Sequence, residues 1–302
     1  MSRSSPRPTR FALVADDFAL TQGVSRSILE LLALGRLTGA GAMTNRPHWR
    51  ALAPALGAFA DTADIGLHLN LTLGAPLGER SPVRGAGDGL PAFGPLARAA
   101  FTGGLDRAIL SDEVLRQVDA FADASGRLPG YIDGHQHVHV LPGVRAALLD
   151  AVARRWPEGE RPWLRDPFDT PGHVMARGGA VAKALVIAVL STGWRRQAAR
   201  AGCETNRGFA GVSPFDPSRD YGTDFAGFLA APGPAHLVMC HPGHVDDELA
   251  TLDPVVATRP LEHEFLAGAR FAALVEEARM EPCRLSDIVR GEPDAKRGEA
   301  AT

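Results

Sequence analysis

Two adjacent aspartates, Asp16 and Asp17, follow the first apolar run of the chain, residues 11–15. Two carboxylates at a strand end repel each other and lose hydration, so burial there is costly. A divalent cation removes this cost by binding one carboxylate, which leaves the other free to act as a base. A helix N-cap explains the same residues equally well, because aspartate is favoured there and a helix follows closely. The pair alone therefore leaves a metal centre and a helix cap open.

Three histidines, His135, His137 and His139, follow Asp133 in the segment DGHQHVHV. If this segment is extended, all three imidazoles point to one side, because side chains alternate along a strand. Imidazoles with a nearby carboxylate bind zinc, iron, cobalt or manganese, and they can hold magnesium when several waters remain. The segment therefore favours a metal or catalytic site over a polar strand face.

A further histidine, His68, lies in the segment 64–72, whose apolar and polar residues alternate. This period predicts a strand with one apolar face and one polar face that carries His68. His241 precedes a Pro-Gly turn and could act as a general acid, because the imidazole pKa lies near neutrality. His244 could face the same rim, and either residue could be an ordinary turn histidine.

Arg165 ends another candidate strand, in the segment PWLRDP. A guanidinium beside a catalytic carboxylate would keep that carboxylate ionised and oriented. A surface ion pair with Asp166 or Asp169 accounts for Arg165 equally well. The sequence leaves both roles open.

The elements that must position these residues alternate between strands and helices, which predicts a parallel α/β fold. The predicted strands are residues 11–15, 39–44, 64–72, 131–140, 163–165 and 236–240. The predicted helices are residues 24–34, 51–60, 112–124 with Ser111 as N-cap, 144–154, 179–190 as a buried helix, and 261–278. Loops after strand carboxyl ends build the sites of such folds, so four strand ends with acids or histidines favour a barrel.

The composition is that of an ordinary globular protein, with 302 residues, 45% hydrophobic and 22% charged, and a net charge of −3. This charge gives no reason to expect nucleic acid or an anionic membrane as a partner. Three cysteines without a CxxC pair indicate a reducing compartment, so we expect a cytoplasmic protein. No apolar run reaches the roughly 20 residues of a membrane span.

The predicted organisation is one domain over residues 11–290, with disordered tails over 1–10 and 291–302. Residues 74–106 contain many Gly and Pro and little periodicity. We predict an insertion loop there, because long loops in compact domains are usually functional or disordered. The sequence is compatible with a monomer or a homodimer.

Five segments in order, VADDFALT, TGAGAMTN, GLHLNLTLG, DGHQHVHVLP and MCHPGHVD, resemble the YdjC-like carbohydrate deacetylases of the ChbG/HpnK type. The resemblance runs from about residue 11 to residue 288. It implies a single-domain, distorted (β/α) barrel with outer helices and one divalent metal, magnesium first, with zinc or cobalt as alternatives. The implied reaction removes the N-acetyl group from an N-acetylglucosamine-type sugar or its conjugate and releases acetate.

The resemblance also implies roles for individual residues. The implied metal ligands are Asp17, His68 and His135. The implied general base is Asp16 and the general acid is His241, although the two aspartates could exchange roles. Residues expected to contact substrate or orient ligands are Asn70, Thr72, Asp133, His139 and Arg165. Ala19 stands where the family often has glycine, so a positive φ there would strain the turn.

Two other functions stay open. An HxH element at a strand end also occurs in metal-dependent amidohydrolases and phosphoesterases, but amidohydrolases often need a bridging lysine, and Lys183 lies in an apolar helix. A non-catalytic sugar-binding barrel would be expected to lack a base or a ligand, yet the implied set is complete. A barrel by itself proves neither, because this fold supports many functions.

Overall fold

The computed structural model describes residues 8–85 and 87–291, so most of both predicted tails lies outside the described residues. The strands are β1 (Thr9–Phe18), β2 (Gly39–Ala42), β3 (Asp64–Leu69), β4 (Tyr131–Gly134), β5 (Trp163–Leu164), β6 (Phe209–Ala210), β7 (His236–Cys240) and β8 (Met280–Pro282). The helices of the first half are α1 (Gln22–Ala33), α2 (Trp49–Gly57), α3 (Phe93–Thr102), α4 (Arg107–Ser125), a 3₁₀ helix (His135–Val140) and α5 (Val144–Arg155). The later helices are α6 (Pro171–Arg177), α7 (Val181–Leu190), α8 (Trp194–Arg200), α9 (Tyr221–Leu229), α10 (Leu249–Leu252), α11 (Arg259–Ala267), α12 (Ala269–Glu277) and α13 (Leu285–Val289).

The strands form one parallel sheet in the order β5-β4-β3-β2-β1-β7-β6, and β8 pairs with the start of β1. The sheet curls into a half-barrel surrounded by helices, which confirms the predicted single-domain, distorted (β/α) barrel. Leu164, in the edge strand β5, forms an isolated parallel bridge to Thr205, in the segment that leads to β6. Because the strands are parallel, their carboxyl ends share one rim, where the candidate residues lie.

The core has two layers, which separate along the alternating faces of the strands. Leu13 and Leu67 belong to the layer between sheet and helices, whereas Val14 and Tyr131 belong to the inner layer. Glycine at 66 leaves room for the Tyr131 ring, since a Cβ there would lie 2.3 Å from it. Tyr131 also stacks on Trp163 at 4.1 Å between centroids. The interior below the rim is therefore filled by side chains, and the site is confined to the rim.

The predicted strand over residues 131–140 is wrong after Gly134, where the 3₁₀ helix begins. Gln136 and His137 have positive φ values of 52° and 58°. The expectation that three imidazoles share one side therefore fails, because side chains alternate in register only along extended backbone. The turn sends His135, His137 and His139 in different directions.

Other boundaries also differ from the predictions. Helix α4 begins at Arg107, and the Asp106 side chain accepts from the N–H groups of the first turn, so Ser111 is not its cap. Helix α3 lies inside the region predicted as a loop, and the predicted helix over 261–278 is two helices separated at Gly268. The predicted tail over 1–10 is too long, because Thr9 and Arg10 pair with β8. Strands β6 (two residues) and β8 (three residues) were not predicted.

Helix α7 was predicted to be buried, but it is largely exposed. Its side chains Val186 and Val189 are 60% and 73% exposed. Nine of its ten residues are apolar, with Lys183 the exception, so the sequence has no polar face to show which side faces the core. Within the described ranges, each helix is too short or too polar to traverse a bilayer.

Candidate active site

The two aspartates lie at the carboxyl end of β1, where the register with β2 is interrupted between Ala15 and Phe18. Asp17 has a φ of 69°, whereas consecutive side chains in a regular strand would point to opposite faces. This irregularity lets Asp16 and Asp17 line the same cavity. The helix-cap alternative is wrong, because Thr21 caps α1 through a bond from the Val24 N–H.

The turn after the aspartates is strained at Ala19, as the missing glycine led us to expect. Ala19 has a φ of 71°, in the left-handed region that favours glycine. Its N–H donates to the buried Ser25 Oγ at 2.9 Å, which holds the turn against α1. A left-handed conformation at a residue other than glycine costs about 1–3 kcal/mol, and such residues are concentrated at functional sites.

Asp16 is held by Arg165 through two charge-assisted hydrogen bonds. The Arg165 Nη1 and Nη2 atoms donate to Asp16 Oδ2 and Oδ1 at 2.7 and 2.6 Å, and both side chains are buried. Burial raises the pKa of Asp16, but Arg165, together with His68 and His241, outweighs burial and holds that pKa well below its usual range. The surface ion-pair alternative for Arg165 is therefore wrong, and Arg165 keeps Asp16 ionised.

Asp133 connects Arg165 to His68. Its Oδ2 atom forms an ion pair with Arg165 Nη2 at 2.6 Å, and its Oδ1 atom lies 2.7 Å from His68 Nδ1. A carboxylate facing Nδ1 favours the proton on that atom, which leaves Nε2 free to bind a metal. Burial lowers the pKa of His68, but Asp133 and Asp16 raise it to about 10, so the surroundings favour positive charge at His68.

Asp17, His68 and His135 meet around one carboxylate oxygen. Asp17 Oδ1 lies 3.4 Å from His68 Nε2 and 2.9 Å from His135 Nδ1. One donor atom from each of the three residues lies within 4.8 Å of the others. Two imidazoles and a carboxylate, with a second carboxylate orienting one imidazole, are a donor set suited to a divalent metal. The residues present therefore fit the implied metal.

In a competing group, Asp16, His68 and Asp133, one donor atom from each residue also lies within 4.8 Å of the others. In this group, however, both carboxylates already face the Arg165 guanidinium at 2.6 Å. A cation there would be repelled by Arg165 at close range in a buried site. The geometry therefore favours the group around Asp17 over the group around Asp16.

Arg259 and Glu262, both in α11, support the site and were not predicted from the sequence. Arg259 Nη2 donates to Asp17 Oδ2 at 2.6 Å and also contacts Asp253, so the two oxygens of Asp17 face different partners. Glu262 Oε2 accepts from the backbone N–H of His241 at 2.7 Å. Both contacts join residues far apart in the sequence, and an arginine or glutamate in a helix has no local pattern that marks such a role.

His241 lies beside the aspartates, at the start of the loop after β7. Its Nε2 atom is 3.9 Å from Asp16 Oδ2, and its ring packs edge-on against Phe215 at 5.3 Å between centroids. Burial lowers the pKa of His241 to about 4, although Asp16 and Asp17 raise it. The resting imidazole is therefore neutral near pH 7, so His241 must gain a proton during turnover to serve as an acid.

Asn70 organises the turn after β3. Its Oδ1 atom accepts from the N–H groups of Thr72 and Leu73, and its Nδ2 atom donates to Asn45 Oδ1 and to the Leu73 carbonyl. All of these bonds are within the protein, and the residue is buried. The structure therefore brings Asn70 close to the rim as a support for the loop after His68.

The two remaining histidines of the predicted cluster lie apart from the group around Asp17. The His139 Nε2 atom faces the Arg165 carbonyl at 3.0 Å, and the ring packs on Trp194. His137 lines the cavity and packs edge-on against Phe209. Burial lowers the pKa of both imidazoles, to about 3 for His139. His139 therefore supports the backbone of Arg165.

A cavity of about 550 Å³ opens above these residues. Its floor carries both aspartates and three histidines of the site, whereas one wall is apolar. The apolar wall consists of Val140, Leu141, Val186, Ile187 and Leu190. Lys183 also lines the cavity, with its Nζ atom 4.2 Å from the Phe215 ring centroid. The site therefore combines a charged floor with a wall that cannot hydrogen-bond to sugar hydroxyls.

We expect the substitution Arg259→Met to destabilise the metal-free protein by about 3–5 kcal/mol, because Asp17 would lose its buried cationic partner. Saturating divalent metal should reduce this loss, since the cation would neutralise the same carboxylate. Urea unfolding with chelator and with metal measures both values. The control Arg155→Met removes an exposed pair with Asp119 and should cost less than about 1 kcal/mol. Equal losses with and without metal would contradict the expectation.

The sequence is similar to proteins that act on carbohydrates. A family model described as YdjC-like protein matches residues 10–277. A carbohydrate deacetylase of Homo sapiens is 32% identical over 158 residues, which cover 49% of this chain and 46% of that protein. A chitooligosaccharide deacetylase of Enterobacter sp. (strain 638) is 33% identical over 151 residues, 47% of this chain and 54% of that protein. The matched segment thus spans about half the length of these curated relatives.

The fold is similar to that of a crystal structure from Enterococcus faecalis V583, of a protein whose proposed role is cleavage of cellobiose phosphate. The TM-score is 0.69, with 19% sequence identity over 93% of this chain and 99% of that chain. At this identity the comparison supports the fold.

Proposed function

Because this chain belongs to the YdjC-like protein family, we propose that it is a divalent-metal-dependent hydrolase that removes the N-acetyl group from an N-acetylglucosamine-type sugar or its conjugate. The observation that carries the proposal is the geometry around the aspartate pair. Asp17 Oδ1 faces both His68 and His135, whereas Asp16 is held by Arg165 with His241 3.9 Å away. A ligand group and a proton-transfer group thus stand side by side.

We assign Asp17, His68 and His135 to the metal. The chemistry supplied by a bound divalent cation is Lewis-acid activation of the acetamide carbonyl and of a water. Magnesium is the ion implied by the sequence resemblance, and the imidazole-rich donor set also suits zinc or cobalt. Activity measured with each of these ions in turn therefore identifies the metal.

The protein's own groups move the protons. A carboxylate offers about four lone-pair positions, so Asp16 can accept a proton from the attacking water while Arg165 donates to both oxygens. His241, neutral at rest, takes this proton from Asp16, whose Oδ2 atom lies 3.9 Å from its Nε2 atom, and gives it to the amine nitrogen as the carbon–nitrogen bond breaks. Glu262 supports this step by fixing the His241 backbone N–H. Asp133 acts by orienting His68, Asn70 by ordering the loop after β3, and His139 by contacting the Arg165 carbonyl. We assign Thr72 to the rim beside them.

The test is a screen for acetate release from N-acetylglucosamine conjugates with magnesium, zinc, cobalt or no added metal. We expect acetate release that depends on a divalent metal and is lost with chelator. Phosphate release from generic phosphoesters, assayed in parallel, separates the phosphoesterase alternative. Absence of acetate release from every conjugate with each metal would contradict the proposal.

The apolar wall supports a conjugate with an apolar aglycone over a purely polar oligosaccharide, because it offers apolar contact and no hydrogen bonds. We expect Val186→Asp to lower kcat/KM for an alkyl glycoside of N-acetylglucosamine by about tenfold, because the exposed valine would no longer bury apolar surface against the bound alkyl group. Turnover of N,N′-diacetylchitobiose should change little. Val189→Asp is the matched control, since Val189 lies on α7 outside this cavity. Equal losses for both substrates would exclude the role of this wall.

A further inference from the structure

A second group of possible metal ligands lies apart from the group around Asp17. Glu30 in α1, His244 in the loop after β7, and His263 in α11 each offer a donor atom within 4.8 Å of the others. The Glu30 Oε2 atom lies 2.7 Å from His244 Nε2 and 3.7 Å from His263 Nε2. The three donors come from three different elements, so tertiary folding alone brings them together.

The two imidazoles in this group lie close to each other, with ring centroids 4.4 Å apart and planes inclined by 55°. Both direct an Nε2 atom toward the same Glu30 oxygen. On the other side of its ring, His263 Nδ1 lies 2.7 Å from the buried Ser27 Oγ. A hydrogen bond at Nδ1 is the usual way in which a protein leaves Nε2 free for a metal. The cluster therefore has an orienting contact as well as ligands.

Chemistry and exposure indicate the class of ion. Two imidazoles and one carboxylate suit zinc and similar transition metals and do not suit magnesium or calcium, which take oxygen ligands. Tetrahedral zinc with bonds of 2.0–2.1 Å needs donor atoms about 3.3 Å apart, so only modest side-chain rotation is required. The side chains of Glu30, His244 and His263 are 39%, 35% and 18% exposed, which leaves access for the ion and a water.

We propose that Glu30, His244 and His263 form a second divalent-metal site, selective for zinc-class ions. The ion bound there joins α1, the loop that begins with His241, and α11. The same loop is already tied to α1 by a bond from the His244 N–H to the Gly23 carbonyl, and α11 carries Arg259 and Glu262. The second site thus links the loop that begins with His241 to α1 and α11, the helices next to the aspartates. This proposal does not depend on the reaction.

The test is the zinc content of the full chain after equilibrium dialysis, measured by elemental analysis. We expect two equivalents in the wild type and one in His263→Gln or His244→Gln. The control His48→Gln should keep both, because His48 forms a similar 2.7 Å contact with Glu248 but has no second imidazole in that group. Ser27→Ala should weaken zinc binding at this site by about 10- to 100-fold, as removal of an orienting contact does.

The outcomes separate this site from the group around Asp17. The variant His68→Ala with His135→Ala should retain one equivalent, and adding His263→Gln should remove it. Zinc content equal to that of the wild type in both His263→Gln and His244→Gln would overturn the second site and leave the proposed function intact. Zinc-induced thermal stabilisation that survives in the variant His68→Ala with His135→Ala, and is lost when His263→Gln is added, provides an independent readout.

Discussion

Replacing Asp16 with asparagine should lower kcat for acetate release by about 10²- to 10⁴-fold, the usual contribution of a general base. The amide cannot accept the proton at neutral pH, although it keeps the shape of the side chain. Metal content should remain that of the wild type, because Asp17 Oδ1 faces the two histidines, whereas Asp16 faces Arg165. Kinetics with a metal assay on the same preparation test both expectations.

The matched control for this substitution is Asp64→Asn. Asp64 is also buried, but it begins β3 at the opposite end of the barrel, where it accepts from Ser286 and from Trp163 Nε1. We expect Asp64→Asn to reduce stability while kcat stays close to wild type. If Asp16→Asn loses the metal, the roles of the two aspartates are reversed.

The double substitution His68→Ala with His135→Ala should remove the metal from the group around Asp17 and abolish turnover. Asp17 would then offer one carboxylate oxygen without the two imidazoles that face it, and its other oxygen is engaged by Arg259. The rate without metal should approach the background, since the activated carbonyl and water are both lost. Cobalt or zinc content and acetate release measure the two losses.

A second double substitution, His48→Ala with His173→Ala, controls for the number of imidazoles. His48 and His173 contact Glu248 and Asp169 and belong to no group of three donors among the described residues. We expect wild-type metal content and turnover in this control. Undiminished metal in the His68/His135 variant would refute the ligand assignment, whatever the activity.

The candidate residues at strand ends were accessible from the sequence because their signals are local. An apolar run that ends in Asp16 and Asp17, and an alternating segment that carries His68, reflect the period of a buried strand. The same local signals predicted the parallel sheet and helix α1 close to their observed bounds. They could not predict the break after Gly134, because the positive φ values of Gln136 and His137 follow from surrounding contacts.

The residues that support the two aspartates could not be predicted, because their contacts join positions that are far apart in the sequence. Arg165 reaches Asp16 across 149 positions and Arg259 reaches Asp17 across 242, so neither pair has a sequence period. The tertiary structure determines which arginine pairs with which aspartate, and the strength of each ion pair then depends on its burial. The exposure of α7 has the same origin, since an apolar helix has no polar face that indicates its orientation.

The aspartate pair and the histidine-rich segments, with the order of strands and helices, were determined by the sequence, because side-chain types and backbone periods are properties of neighbouring residues. Tertiary structure alone decided that Asp16 faces Arg165 and that Asp17 faces His68, His135 and Arg259. Two adjacent, identical side chains differ only through their partners, and the irregularity at the end of β1 turns each toward a different set. The division of roles between them is therefore a property of the fold.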